Sequence, residues 1–441
     1  MKGEDLREVM EAVLPSDVIL RWCDEIGVIE RERKLDICQL IRCMIIAASS
    51  PSGATQADVL RAYLESDAEN VSPPAFYQWF TPRFELLMER LAERALAYSR
   101  AQVVDLPAVM QMASDWIIVD ASTCRLPDAF WNVYPGAGPY AAVKVHKHLS
   151  IGTGCAVHYH FSPAVDHDSP HLTIDASWAG KGLLCDLAYA SIARLRDCFT
   201  HGVHFVIRLK ENWKPRVLEI RGQDLSAELL QGADFDALIE RGVLPLKGET
   251  VDAVVAVGSG KNPLKLRLVG VDTYKGYCFF LTNLSDTVTA MEVSEIYRTR
   301  WEVETSFKLD KAEQGLDQAA SPTSMNPHAL RALMHASLIS STMTTLLVHK
   351  HNSKVKKTAA GVRTEAPLHP RRLAMQLVVS ASSIITAMEL TGKDADKAWA
   401  RSAKVLTVSG TDPNWKRRPS VLDRLRGWPA PTPASPRLSS S

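Results

Sequence analysis

The stretch "DWIIVDAST", residues 115–123, is where the chain changes character. Four successive apolar residues, Trp116 to Val119, run into Asp120. A short continuous apolar run suits a strand buried on both faces of a mixed sheet, whereas an amphipathic helix would space its apolar residues three and four apart. Everything before it reads as helix. "LREVMEAVL" (6–14), "DICQLIRCMIIAA" (36–48), "QADVLRAYLES" (56–66) and "RFELLMERLAERALAYSRA" (83–101) all carry the helical spacing, and "VSPPAFYQWF" (71–80) opens a short helix with a Ser cap and early Pro. Residues 1–102 are thus a helical region. Its 12 basic against 17 acidic residues leave two readings open, a helix-turn-helix-like DNA-binding module or a structural cap.

Downstream the strand signals accumulate. "AAVKVHKHLSI" (141–151) and "CAVHYHFSPAV" (155–165), joined by Gly152-Thr153-Gly154, make a hairpin that sets His146 against His160 and His148 against His158. An amphipathic helix over Leu183–Cys198 and the apolar strand "VHFVIRL" (203–209) follow. "ETVDAVVAV" (249–257), "LKLRLVGV" (264–271) and "YCFFLTNL" (277–284) are again strand-like. This order predicts an α/β core over 103–209, a β-rich insertion over 210–290, the return of the core as a helix over 291–320, a helical region over 321–410 and a Pro/Ser-rich tail over 411–441.

Bulk composition is that of an ordinary soluble protein, 46% hydrophobic and 23% charged over 441 residues, enough for a large core. No membrane span or leader is expected, because the most apolar late stretch, Leu333 to Val348, is broken by His335 and many Ser and Thr. The cytoplasm is the expected location. The eight Cys include no CxxC pair and read as reduced, buried thiols. The net charge of +1 hides a division: residues 321–441 hold 18 Lys and Arg against 6 Asp and Glu, with basic edges at "KVKK" (354–357) and Arg371-Arg372. A basic region on an acidic body suits phosphate contact; a solvated basic tail is the plainer alternative.

A second stretch, "YRTRWEVETSFKLDK" (297–311), crowds charge onto few positions. On a helix, Tyr297, Arg300, Glu304, Lys308 and Lys311 fall within about a quarter turn, with Trp301 beside them and Ile296, Val303 and Phe307 as the docking stripe. Arg300–Glu304–Lys308 could be a wet salt-bridge ladder, worth a few tenths of a kcal/mol per pair. The same face could equally carry a carboxylate into a cleft.

The four fixed residues of that stretch, Tyr297, Arg300, Glu304 and Lys311, reproduce the Tyr-Arg-Glu-Lys signature of bacterial insertion-sequence DDE transposases, the insertion-sequence type four family. The chain resembles that group from about Asp115 to Gln318. The resemblance implies an RNase H-like mixed-sheet catalytic core interrupted by the β-rich insertion, with helical N- and C-terminal regions. It implies that Glu304 is the third metal-binding carboxylate and that Asp120, in "IIVDAST", is the first, with Asp115 as competitor. The second would be Asp186, where "LLCDLAYASIARLRD" resembles the family's Asp–x–Gly–Tyr passage with Tyr189 in the Tyr position and Ala188 in place of Gly; Asp175 and Asp166 are fallbacks. Carboxylates at 120, 186 and 304 form an oxygen-only set suited to Mg²⁺ or Mn²⁺, and two ions would drive in-line displacement at phosphorus. The implied partners are double-stranded DNA (terminal inverted repeats and target) and a second copy of the chain in a paired-end complex at the nucleoid. Tyr297, Arg300, Trp301, Lys308 and Lys311 are the expected DNA contacts, Trp301 by stacking on a flipped base. Lys144 and His146 join that set through the family's Lys-x-His.

Two rivals remain. The His146, His148, His158 and His160 face could instead make a zinc hydrolase, since imidazoles favour Zn²⁺. A transposase descendant that binds DNA without cutting it is the other.

Overall fold

The computed structural model of this chain describes residues 1–29, 35–48, 55–66, 69–221, 233–241, 250–258, 262–273, 276–319, 326–355, 364–416 and 420–427. Lys356 and Lys357 of the "KVKK" edge, and most of the tail beyond residue 416, lie outside them.

The N-terminal region is helical as expected: α1 (Gly3–Val13), α2 (Ser16–Ile26), α3 (Ile37–Ala47), α4 (Gln56–Leu64), α5 (Pro73–Tyr77) and α6 (Pro82–Arg100). Their starts are written in side chains. Asp36 accepts from the Gln39 amide, Thr55 and Asp58 form a reciprocal capping box, and Thr81 with Pro82 opens α6. Helix α2, not among the stretches quoted above, keeps a clean apolar stripe of Val18, Ile19, Trp22, Cys23 and Ile26 with its charges on the other face.

Strands β1 (Trp116–Arg125), β2 (Ala142–Ser150), β3 (Ala156–Pro163), β4 (Gly182–Cys185), β5 (His204–Arg208), β6 (Arg216–Ile220), β7 (Val251–Val257), β8 (Leu264–Thr273) and β9 (Gly276–Thr282) build one nine-stranded mixed sheet. Its order is β3-β2-β1-β4-β5-β9-β8-β7-β6. The β1–β2–β3 ladder is antiparallel, β1–β4–β5 is parallel, and β9 returns antiparallel to β5. The described strands of the β-rich stretch therefore extend the same sheet. Helix α7 (Ile192–Thr200) bridges β4 to β5, and α8 (Phe235–Glu240) lies between β6 and β7.

Strand alternation sorts the core onto two faces. Trp116, Ile118 and Leu184 face the cluster that holds the N-terminal helices, together with α9 (Ala290–Arg298), α10 (Trp301–Ala312) and α11 (Pro327–Asn352). Ile117, Val119, Leu183 and Cys185 face the other cluster, with Trp178, Tyr189, α7 and α8. Helix α11 is buried along most of its length despite its Ser and Thr, and the hydroxyls of Thr342, Thr344 and Thr345 bond backward along the helix, that of Thr342 to the Leu338 carbonyl at 2.7 Å. It is followed by α12 (Pro370–Val379), α13 (Ala381–Glu389), α14 (Gly392–Gly410) and α15 (Val421–Leu425).

Three local expectations change. Strand β1 does not close at Asp120 but runs on to Arg125, because β2 pairs with it along that whole length; only the parallel pairing with β4 stops at Val119. The amphipathic helix expected from Leu183 is a strand up to Cys185, since these residues are buried between two partner strands, and α7 starts only at Ile192, capped by Ser191. The crowded helix is two helices, broken at Thr299–Arg300. There the Thr299 and Arg300 amides bond three residues back and the Thr299 hydroxyl donates to the Ile296 carbonyl at 2.6 Å, a tightening into 3₁₀ geometry.

Candidate active site

Asp120 sits mid-strand on the face that looks toward α10. Its Oδ1 accepts the Ala121 amide at 2.8 Å, and its Oδ2 lies 3.3 Å from Arg300 Nη1. Burial pushes its carboxyl up to about 6; the Ala121 amide and Arg300 oppose the shift, while the charges of Asp186 and Glu304 add to it.

Asp186 follows β4 directly. Because Val119 pairs with Cys185 in the parallel ladder, Asp120 and Asp186 occupy adjacent positions on neighbouring strands, about 5 Å apart in backbone. Asp186 is exposed, and its side chain caps nothing; the helix that follows uses Ser191. Ala188 stands in the turn without left-handed backbone, since every positive φ among the described residues belongs to glycine. The turn holds its shape without Gly at that position.

Glu304 enters from the first turn of α10, and its Oε1 takes Arg300 Nη2 at 3.0 Å. One guanidinium fork thus joins Asp120 to Glu304, which limits the gap between their oxygens to about 9 Å, the two bonds plus the width of the fork. Arg300 is only 13% exposed, and its Nε is buried without a hydrogen-bond partner among the described residues. The ladder reading is therefore half right: Arg300 and Glu304 pair as i,i+4, but over a partly buried Asp instead of in open solvent.

Two residues that sequence reasoning missed hold α10 in place. Lys147 is the cross-strand partner of Asp120 and fully buried, with its ammonium on Asp310 of α10, 3.0 Å from the Ser306 hydroxyl and 5.0 Å from the centre of the Phe307 ring. Asp310 is completed by the Ser341 hydroxyl of α11 at 2.6 Å. The signal existed: Lys147 is the one charge on the apolar face Val143–Val145–Lys147–Leu149, and a buried Lys needs a partner.

The other expected site residues divide. Lys311 donates to the Thr123 carbonyl of β1 at 2.6 Å, Lys308 and Trp301 are exposed on α10, and Tyr297 is buried with its ring 5.1 Å from that of Phe280. Lys144 and His146 lie on the opposite sheet face, apart from this group. Lys144 is tied to Asp168 at 2.7 Å, and His146 is 1% exposed. The alternative candidates lie elsewhere: Asp115 is buried at the far end of β1, taking the Ser150 hydroxyl at 2.6 Å and the Gly152 amide at 3.1 Å, and Asp175 bonds Ser177 on the surface. Asp166 is 3.9 Å from His171 on the histidine face.

Asp120, Asp186 and Glu304 offer only carboxylate oxygen, and one arginine partly offsets them. Such a donor set fits a hard divalent cation. Residues 113–321, which include all three, match a known family model. That family is described as "Transposase DDE domain". A DDE domain of this kind depends on divalent metal. Among curated proteins, the transposase for insertion sequence element IS231E of Bacillus thuringiensis subsp. finitimus is 30% identical over 100 residues, 22% of this chain and 21% of the relative. The alignment thus spans about a fifth of that relative's length. Among solved structures, a cryo-EM structure of the piggyBac transposase synaptic complex with hairpin DNA aligns over 94% of this chain and 90% of its own, at 11% identity and a TM-score of 0.44. Among the described residues no helix is long and apolar enough to cross a membrane.

Proposed function

We propose that this chain is a DNA transposase of the Tyr-Arg-Glu-Lys insertion-sequence group, with an RNase H-like core in which Asp120, Asp186 and Glu304 together hold two Mg²⁺ or Mn²⁺ ions. The observation that carries this reading is the Arg300 fork on Asp120 and Glu304, with Asp186 on the next strand. Support also comes from the strand order, an antiparallel β3-β2-β1 run continuing into parallel β4 and β5, and from the match of residues 113–321 to the transposase DDE family.

When bound, the ions would supply an activated water or DNA 3′-hydroxyl and a stabilised leaving oxygen for in-line displacement at phosphorus. The chain's part is placement. Asp120 and Asp186 are fixed by strands in register, and Glu304 by a helix pinned through Lys147–Asp310. Arg300, whose fork bridges Asp120 and Glu304, carries the planar guanidinium that suits a phosphate at the same mouth. Lys308 and Lys311 line the approach, the exposed Trp301 ring offers a face for stacking on an unpaired base, and Tyr297 backs the β9–α9 corner that the DNA end would meet. The partners of this reading are the element's own ends, a target duplex and a second copy of the chain, in the cytoplasm at the nucleoid.

The test is nicking of duplex DNA carrying the element's ends, with Mg²⁺ or Mn²⁺. Asp120→Asn, Asp186→Asn and Glu304→Gln are each expected to lose at least about 10³-fold in rate, some 4 kcal/mol in barrier, while end binding stays within a few-fold. A folded Glu304→Gln that nicks like the wild type would overturn the assignment. Specific end binding by the wild type with no metal-dependent cutting would favour the inactive descendant instead.

A further inference from the structure

On the sheet face opposite α10, a ring nitrogen from each of His146 (β2), His160 (β3) and His171 lies within 4.8 Å of the other two. We propose that these three imidazoles form a binding site for one zinc-class transition-metal ion, which fastens the loop around residues 164–174 to the β2–β3 hairpin. Nothing in the phosphoryl-transfer reading requires this site.

Each ring has one side toward the cluster and an outer partner on the other. His160 Nε2 and His171 Nδ1 meet at 2.8 Å; behind them, His160 Nδ1 is 3.4 Å from His158, and His171 Nε2 is 3.9 Å from the Asp166 carboxylate. His146 has the Ser162 hydroxyl at 3.0 Å on Nε2 and the Tyr189 hydroxyl at 3.4 Å on Nδ1, so one of the two can be exchanged for a metal while the other orients the ring. Metal-ligating histidines are typically held this way, with a carboxylate or hydroxyl on the far nitrogen. Tetrahedral Zn²⁺ with Zn–N bonds of about 2.0–2.1 Å puts ligand nitrogens about 3.3 Å apart. The present nitrogens, spaced from 2.8 Å to at most 4.8 Å, bracket that separation; the rings must turn out of their current stacking for the in-plane lone pairs to converge on one ion. Imidazole donors select zinc-like ions over Mg²⁺, which keeps to oxygen. The loop so fastened touches the turn that carries Asp186, because Arg194 of α7 donates to the Ser169, Leu172 and Tyr189 carbonyls alike.

The test is zinc titration of the full-length chain, freed of metal by a chelator, in excess Mg²⁺, followed by calorimetry and by the visible spectrum of the Co²⁺ form. The expected result is one Zn²⁺ per chain, with a Co²⁺ spectrum free of thiolate charge transfer. His160→Asn and His171→Asn, both at partly exposed positions, should each weaken uptake at least tenfold while leaving the metal-free circular dichroism unchanged, and Glu304→Gln should bind zinc like the wild type. The proposal falls if the wild type takes up no zinc, if both His variants bind it unchanged, or if a thiolate band appears. Since zinc uptake is read without any DNA, a negative result here leaves the nicking test untouched, and the reverse.

Discussion

Two ion clusters share helix α10 and one face of the sheet, and they behave oppositely. Lys147–Asp310 is closed: both side chains are at most 1% exposed, charges balance one to one, and Ser306 and Ser341 complete the bonding. Arg300–Asp120–Glu304 is open: one cation faces two carboxylates with a third alongside, Glu304 is 31% exposed, and Arg300 Nε has no partner among the described residues. A neutral, fully bonded pair fixes geometry. An acidic excess held next to solvent instead invites a further cation, which is what a metal site needs before its metals arrive.

The sharpest way to break the contrast is to unbalance the closed cluster. Lys147→Ala strands a buried carboxylate and should cost about 3–5 kcal/mol in urea unfolding, whereas Lys147→Met with Asp310→Leu should recover most of that loss. If the single substitution costs less than about 1 kcal/mol, the closed cluster is not what holds α10.

A smaller effect should appear in the open cluster, with the opposite sign. Folding raises the Asp120 carboxyl from its ordinary 3.8 to about 6, so the folded state holds this proton more tightly than the unfolded chain does. The stability from this group is complete below about pH 4 and is lost as pH rises through 6, up to about 3 kcal/mol. Metal-free Asp120→Asn is accordingly expected to be more stable than the wild type at pH 8, by about 1–3 kcal/mol, with the gap closing toward pH 5. Added Mg²⁺ should stabilise the wild type and not the variant. A pH-independent difference would mean that burial, and not charge, governs the substitution.

Least of all, Lys308→Ala should leave stability within about 0.5 kcal/mol, as for exposed positions generally, and reduce the salt slope of end binding by about one. An unchanged slope would put Lys308 away from phosphate and move the DNA path off this face of α10.

Legibility followed the range of the forces involved. Caps and apolar runs are local, so the N-terminal helices, the β2–β3 register and the strand that carries Asp120 could be read from residues alone. The break at Thr299–Arg300 could not, because helical spacing continues almost unbroken across it and only one Thr hydroxyl and the docking of two helix ends decide it. His171 was equally hidden: its contact with His160 depends on where a loop folds back, not on any spacing in the hairpin. Lys147 was in view but was passed over, since a Lys on a strand reads as the wet face until the residues two before and two after it are counted. Inside the helical region expected over 321–410, the break at Ser380 that separates α12 from α13 was not legible, because packing of these helices against α3 and α14 decides it.

The Leu209 amide bonds the Phe279 carbonyl at 2.9 Å, where β5 meets β9. The described strands between them, β8, β7 and β6, continue the sheet outward from β9, and inward residues such as Val269, Val271 and Leu268 belong to the same two core clusters as β1 and β4. Growth or trimming at β6 and β7 would act at the sheet edge, beyond β9 and β8, whereas loss of β8 or β9 would remove packing from α9, including Phe280 against Tyr297. That outer edge is therefore the place in this stretch where a tag or a new DNA-reading element could be grafted at least cost to the chemistry.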